Sequence, residues 1–222
     1  MIARLVAFFL AFVCVLQLPA HAQTPGAGQT QPGQFDFYVL SLSWSPSYCE
    51  AVGDKRKDPE CARPFGFVAH GLWPQFEKGY PSDCADQTNR LPKSLIDAQL
   101  DLFPAAGLVV HEWRKHGSCS GLDAAAYFDA VRKAVAGITI PPSLQHVNKP
   151  QFVAPTSIAT DFATANKGLD GSNFAVVCSK QGLEDVRICL NKDLKTYHPC
   201  PQVVAAACKQ DKTYLPAMRS GN

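Results

Sequence analysis

Residues 35–44 read FDFYVLSLSW, a run rich in aromatic and β-branched residues and apolar on both faces. That pattern predicts a strand at the centre of a sheet, because only a strand covered on both sides keeps both faces apolar. Residues 65–70 (FGFVAH) predict a second, shorter strand ending at a Gly-Leu-Trp-Pro turn. The spacing then becomes helical over 93–103 and 109–116. Asp123 is an N-cap residue for a helix over 124–136, which Gly137 stops. Residues 157–166 predict another helix, closed by Asn166-Lys167-Gly168, and 173–179 and 186–191 predict paired strands. No internal repeat is visible. Interspersed strands and helices without regular alternation indicate one α+β domain.

The N-terminus stands apart from this pattern. Arg4 supplies a positive start, 5–18 form an apolar run, and Ala20-His21-Ala22 has the small-x-small form of a cleavage site. The run is broken by Gln17 and followed by Pro19, which makes it short for a membrane span. Cys14 is flanked by Val13 and Val15 rather than by the small residues of a lipoprotein signal. We therefore expect a signal peptide over 1–22, a flexible Pro/Gly/Gln linker over 23–33, and one folded catalytic domain over 34–222. Export to the periplasm or out of the cell follows, with no membrane anchor.

Charge narrows the partners little: 21 Lys+Arg against 19 Asp+Glu give +2 over 222 residues, so bulk attraction to nucleic acid is not to be assumed. The cysteines say more. Beyond Cys14, eight remain: Cys49, Cys61, Cys84, Cys119, Cys178, Cys189, Cys200 and Cys208. An even set in an exported chain reads as four disulfides, and none of the spacings is that of a zinc ribbon.

Three histidines fall in two short segments, His70 in HGLWPQ and His111 and His116 in HEWRKHGSC. On an ideal helix, with His111 at the origin, Lys115, Glu112 and His116 follow at about 40°, 100° and 140°. Four ionisable groups then share one arc while Trp113 anchors the other face. An ordinary solvated helix face with a Glu112–His116 pair is one alternative. A metal site is another, but these histidines are five residues apart rather than four, and Lys115 would repel a cation. Two imidazoles on separate elements plus an ammonium suit RNA cleavage by internal transfer. One imidazole takes the 2′-OH proton, the other protonates the departing 5′-oxygen, and cations support the phosphorane between them. DNA, without a 2′-OH, is excluded as substrate. A His beside the Trp73 indole also offers a proton donor next to a stacking surface.

HGLWP (His70 to Pro74) and EWRKHGSC (Glu112 to Cys119) resemble the two active-site segments of the ribonuclease T2 family. FDFYVLSLSWSPSYC (Phe35 to Cys49) resembles that family's first strand. The resemblance implies a central antiparallel sheet flanked by helices. It implies endonucleolytic cleavage of single-stranded RNA, without metal or cofactor, through a 2′,3′-cyclic phosphate to 3′-phosphate ends. Carried onto this chain, it makes His70 the general acid and His116 the general base, with the roles reversed when water opens the cyclic phosphate. His111 would hold phosphate, and Glu112 and Lys115 would support the phosphorane and tune His116. Trp73, with Tyr80, would stack on the base 5′ of the cut. Gln75 stands where several members carry an acid that helps choose the base, so low base discrimination is expected. The resemblance also implies Cys84–Cys119, with nested Cys178–Cys208 and Cys189–Cys200 and a local Cys49–Cys61 completing the set. RNA is the expected partner and a monomer the expected state.

His146 and His198 are read as surface or structural, Arg114 as a solvated charge, and 54–58 (DKRKD) as an exposed loop inside the Cys49–Cys61 ring. Two rival functions remain, a binding protein on the same fold and a metal hydrolase.

Overall fold

The computed structural model describes residues 31–84 and 90–220. The expected leader and residues 23–30 of the expected linker lie outside them. The first strand, β1 (Phe37–Trp44), runs into a short helical stretch made of α1 (Ser45–Tyr48), a π turn (Cys49–Gly53) and α2 (Asp54–Arg56). β2 (Phe67–Gln75) follows, then α3 (Lys93–Asp97), α4 (Ala106–Lys115) and α5 (Ala124–Ala136). The rest comprises β3 (Gln151–Val153), α6 (Pro155–Ala165), β4 (Phe174–Ser179), β5 (Gly182–Leu190), α7 (Pro201–Val204) and β6 (Thr213–Leu215). Among the described residues, no helix is long and apolar enough to cross a membrane.

β1 is central, as its composition predicts: the main sheet has the order β2-β1-β5-β4 with every neighbour antiparallel, and β3 and β6 form a separate ribbon. Alternate residues point to opposite faces of a strand. Tyr38, Leu40, Leu42 and Trp44 therefore meet a layer of helices, where Trp113 of α4, Phe128 and Val131 of α5 and Phe162 of α6 complete the larger core. Phe37 and Val39 face the other way into a smaller cluster with Val177, Val203 and the Cys189–Cys200 bridge. On that second face β1 continues with Ser41 and Ser43. The strand is thus apolar on both sides in its first half only.

Several expected boundaries change. β2 does not end at His70. It continues through the Gly-Leu-Trp-Pro segment to Gln75, because Gly71, Leu72, Trp73 and Pro74 stay in register with Ser41, Leu40, Val39 and Tyr38. The predicted helix over 93–103 is helical only to Asp97 and finishes in turns. The one predicted over 109–116 begins at Ala106 and ends at Lys115. Asp123 caps α5 as expected, its Oδ1 accepting from Ala126 N at 2.9 Å. Residues 54–57 are exposed as expected, but the segment begins as a helix, α2, before the turn at Lys57; Asp54 pairs with Arg219 at 2.6 Å, and Asp58 accepts from the Tyr48 hydroxyl. All four disulfides form as the resemblance implied, Cys49–Cys61, Cys84–Cys119, Cys178–Cys208 and Cys189–Cys200.

Candidate active site

A one-residue bulge in β2 creates the site. Ser41 pairs with Gly71 and Leu42 with Ala69, so His70 is the extra residue between them. The insertion reverses the parity of the strand. Ala69 and Leu72 both join the larger core, while Gly71, Trp73 and Gln75 are left on the opposite face with Ser41 and Ser43. Without the bulge, a strand that buries Ala69 would also turn Trp73 into the core.

Ser43 and Asp185, across the ladder on β1 and β5, hold His70. Its Nδ1 lies 2.8 Å from Ser43 Oγ, and that hydroxyl donates to Asp185 Oδ1 at 2.6 Å. Since the hydroxyl proton goes to the carboxylate, Ser43 must accept from His70 Nδ1–H. Nε2 is then turned toward Glu112 Oε1, 3.7 Å away. Asp185 Oδ2 accepts from Arg187 Nη2 at 2.9 Å, and the Arg187 guanidinium lies 5.5 Å from the Trp73 ring centroid. Partial burial lowers the His70 pKa; Asp185 opposes the shift, and Arg187 and His111 add to it.

The second segment differs from an ideal helical arc. Val109, Glu112 and Trp113 form the buried stripe of α4, and His111 stays exposed. His116 lies beyond the helix end, with φ −122° and ψ −50°. The chain then tightens into a 3-10 turn, Gly117–Ser120, tied to the 82–84 segment by Cys84–Cys119. Gly117 is required there because a Cβ would collide with Trp113 and Tyr127. His116 is 8% exposed and packs against Trp73, ring centroids 5.2 Å apart. Its Nδ1 is buried without a hydrogen-bond partner, which leaves Nε2 as the nitrogen able to meet a substrate. Burial first, then Lys115 and the other two imidazoles, push its pKa down to about 3. His116 is therefore neutral at pH 7.

Glu112 reaches from α4 to the strand segment and is fully buried. Oε2 accepts from Trp73 Nε1 at 2.8 Å. Oε1 has no partner and stands 3.7 Å from His70 Nε2 and 3.9 Å from His111 Nε2. Burial raises its pKa to about 8, against smaller opposing effects of the Trp73 hydrogen bond and Lys115. Gly71 makes the approach possible, since a methyl group there would overlap Glu112 Oε2 and the indole nitrogen.

Beside this cluster opens a cavity of about 410 Å³, lined by Trp73, Gln75, Tyr80, Lys115, His116 and Gln202. Gln75 is buried and Tyr80 is 58% exposed. Two further cavities, of about 280 and 440 Å³, are lined in part by His70. Every catalytic and base-binding residue expected from sequence thus falls in one neighbourhood, with His111 at its open edge. Four others belong to it and were missed. Ser43 was hidden in a strand read as wholly apolar, although the alternation Leu40-Ser41-Leu42-Ser43 marks a polar face. Asp185 and Arg187, two apart on one face of β5, fell outside or at the edge of a strand expected to start at Val186. Gln202 carries no local signal; its amide bonds the 76–79 loop through Phe76 O, Gly79 O and Gly79 N. His198 is structural, stacked on Phe37 and bonded to Asn191 and Glu77. Among the described residues, no group of three or more His, Cys, Asp or Glu is placed to hold a metal ion.

The chain is similar to several known proteins. A "Ribonuclease" of Aeromonas hydrophila is 47% identical over 92 residues, 41% of this chain and 41% of its own, so the matched part spans less than half the length of that relative. Ribonuclease DdI of Dictyostelium discoideum is 27% identical over 92% of this chain and 95% of its own. Among solved structures, RNase NT in complex with 5′-AMP superposes with a TM-score of 0.57 at 22% identity, over 83% of this chain and 99% of that one. The sequence profile of the ribonuclease T2 family matches residues 35–200. The chain, with two histidine segments brought together by a bulged strand and the C-terminal end of α4, belongs to the ribonuclease T2 family.

Proposed function

We propose that residues 34–222 form a metal-independent endoribonuclease that cleaves single-stranded RNA by attack of the 2′-OH on the adjacent phosphorus. The observation that carries this reading is the pairing of two imidazoles in different surroundings on either side of Trp73. His116, buried and neutral, lies against the indole, while His70, bonded through Nδ1, stands edge-on to it at 5.5 Å between centroids. His116 Nε2 takes the 2′-OH proton as O2′ bonds to phosphorus. The P–O5′ bond breaks, and His70 Nε2–H passes its proton to O5′. The resulting 2′,3′-cyclic phosphate is opened by water with the roles exchanged, giving a 3′-phosphate. A phosphate arriving beside His70 stabilises its imidazolium form, offsetting the lowering caused by burial.

Lys115 and His111 supply donors around the non-bridging oxygens, where charge accumulates in the phosphorane. Glu112, a carboxylic acid at neutral pH, donates from Oε1 because Oε2 is already an acceptor for Trp73. The Trp73, Gln75 and Tyr80 cavity receives the base 5′ of the cut; with an uncharged Gln75, discrimination between bases is low. In support, RNase NT, which shares the fold, binds 5′-AMP. Four disulfides suit an exported protein acting in the periplasm or outside the cell, as a monomer.

The test is a digest of mixed-sequence RNA and matched DNA by the oxidised protein with EDTA present, product ends read by mass. Cyclic-phosphate and 3′-phosphate ends from RNA, with DNA intact, support the mechanism. Cleavage only after zinc is added overturns metal independence. Inactivity under both conditions leaves the binding-protein reading standing.

A further inference from the structure

We infer that Ser43 and Asp185 are positioning residues for the general acid, a relay that fixes the tautomer and aim of His70 from the back of its ring. This rests on the ribonuclease reading above and goes beyond it by assigning work to two residues outside both histidine segments.

The chain of contacts is short and one-directional: His70 Nδ1–H to Ser43 Oγ at 2.8 Å, and Ser43 Oγ–H to Asp185 Oδ1 at 2.6 Å. Arg187 already pairs with the other oxygen of Asp185, so Asp185 does not need Ser43 for neutralisation. Asp185 is nearly buried, on a strand whose next residue, Val186, is core. A carboxylate is costly there unless its hydrogen bonds are used. The bulge at His70 makes the relay reachable, because it places the ring against Ser43 rather than in the ladder. An acid–orienter pair of this kind holds one ring nitrogen so that the other meets the reacting atom. During transfer the Nε2–H bond breaks and O5′–H forms. Nδ1 keeps its proton throughout, and none passes to Asp185. The carboxylate favours the imidazolium that must exist before the step.

His70 is also faced by His111 and Glu112 of α4, by Arg187 of β5, and by Tyr48, Asp58 and Glu60 across the 440 Å³ cavity. A change confined to Asp185 must therefore be read as a shift, not as the appearance or loss of a titration.

The experiment compares two substrates of the oxidised protein. A dinucleoside phosphate expels an alkoxide that needs the acid, whereas a nucleoside 3′-(4-nitrophenyl phosphate) expels a phenolate that does not. Ser43→Ala and Asp185→Asn should lower kcat on the dinucleotide roughly ten- to a hundredfold, part of the roughly 10²–10⁴-fold worth of a positioned acid. Cleavage of the nitrophenyl ester should stay near wild type. Asp185→Asn should also move the alkaline limb of kcat/KM to lower pH, and Ser43→Thr, which keeps the hydroxyl, should restore dinucleotide cleavage. Equal losses on both substrates, in variants with native near-ultraviolet dichroism, would make the pair mere scaffold and overturn the relay. So would an undisturbed Ser43→Ala. If Ser43→Ala fails to fold, Ser43→Thr and Asp185→Asn decide by the same substrate ratio. A wild-type protein inactive on both substrates overturns the ribonuclease reading, and the relay with it.

Discussion

The indole N–H of Trp73 donates to Glu112 Oε2 at 2.8 Å, joining the strand segment to the helix segment across the centre of the site. The bond depends on two features of β2, a missing side chain and an extra residue. Gly71 leaves room for the carboxyl group, and the bulge at His70 turns Trp73 to the same face. With Oε2 committed as an acceptor, the proton of the buried acid lies on Oε1, toward His70 and His111. Four predictions follow from this cluster and one from the loop beside it.

Replacing Glu112 by Gln should stabilise the protein increasingly as pH rises. The folded pKa is about 8 against an ordinary 4.5. Between those values the folded state keeps a proton that the unfolded chain has lost, so wild-type stability declines as pH rises through that window. Glu112→Gln removes the decline, an advantage on the order of 2–4 kcal/mol at pH 8. Urea unfolding of both proteins at pH 5, 6.5 and 8 measures it. A constant difference would mean that Glu112 titrates normally.

The pH dependence of kcat/KM should peak on the acid side. The base His116 must be neutral, which holds above its pKa of about 3. The acid His70 must be protonated, which holds below a pKa lowered from 6.5. The bell therefore has its maximum between those limits and falls toward pH 8, where the free enzyme has lost its acid. A maximum at pH 7.5 or above would contradict the assignment of acid and base.

His116→Phe should separate folding from catalysis. The ring is buried with an unpartnered Nδ1, so phenylalanine removes an unsatisfied polar atom and Tm should hold or rise. RNA cleavage should drop by roughly 10²–10⁴-fold with loss of the base. Thermal unfolding and product release are both measured; substantial cleavage remaining would show that the base lies elsewhere.

Gly71→Ala should damage both properties together. A methyl group there overlaps Glu112 Oε2 and Trp73 Nε1. The carboxyl or the indole must shift, at about 1–3 kcal/mol of overpacking cost, and their hydrogen bond is lost. Tm and kcat should fall in the same variant; wild-type values for either would mean that α4 can retreat without consequence.

Gln202→Ala should raise KM with a smaller effect on kcat. Gln202 makes no hydrogen bond to either imidazole but bonds both ends of the 76–79 loop and Gln75 Oε1, so its loss loosens the cavity beside Tyr80. Steady-state kinetics on dinucleotides differing in the 5′ base would detect this. A pure kcat loss would place Gln202 nearer the chemistry than its contacts indicate.

How far the site was legible depends on the residue. His70, Glu112, Lys115 and His116 stand in short segments whose residue types already suggest proton transfer beside phosphate. Their geometry was less accessible. An ideal helix puts His116 on one arc with His111, but the helix stops at Lys115 and His116 turns inward beyond it. Gly and Pro suggest a turn after His70; the ladder overrides that preference, since Gly71 and Pro74 both keep partners on β1. Asp185 and Gln202 lie more than 60 residues from either histidine segment, and pairing at that distance leaves no periodic trace in the chain.

The order of residues by itself determined the central position of β1, the capped helix α5, the cysteine set and the kind of chemistry the histidines can perform. These follow from local preferences: burial of a strand whose first half is apolar on both faces, an Asp at a helix start, and imidazoles that titrate near neutrality. Only the tertiary structure decided which groups are charged and which atoms face one another. Protonation states depend on burial and neighbours, and the neighbours of Glu112 and His70 come from β1, β2, β5 and α4 at once. The parity of β2, set by one extra residue against β1, is likewise a property of pairing between strands.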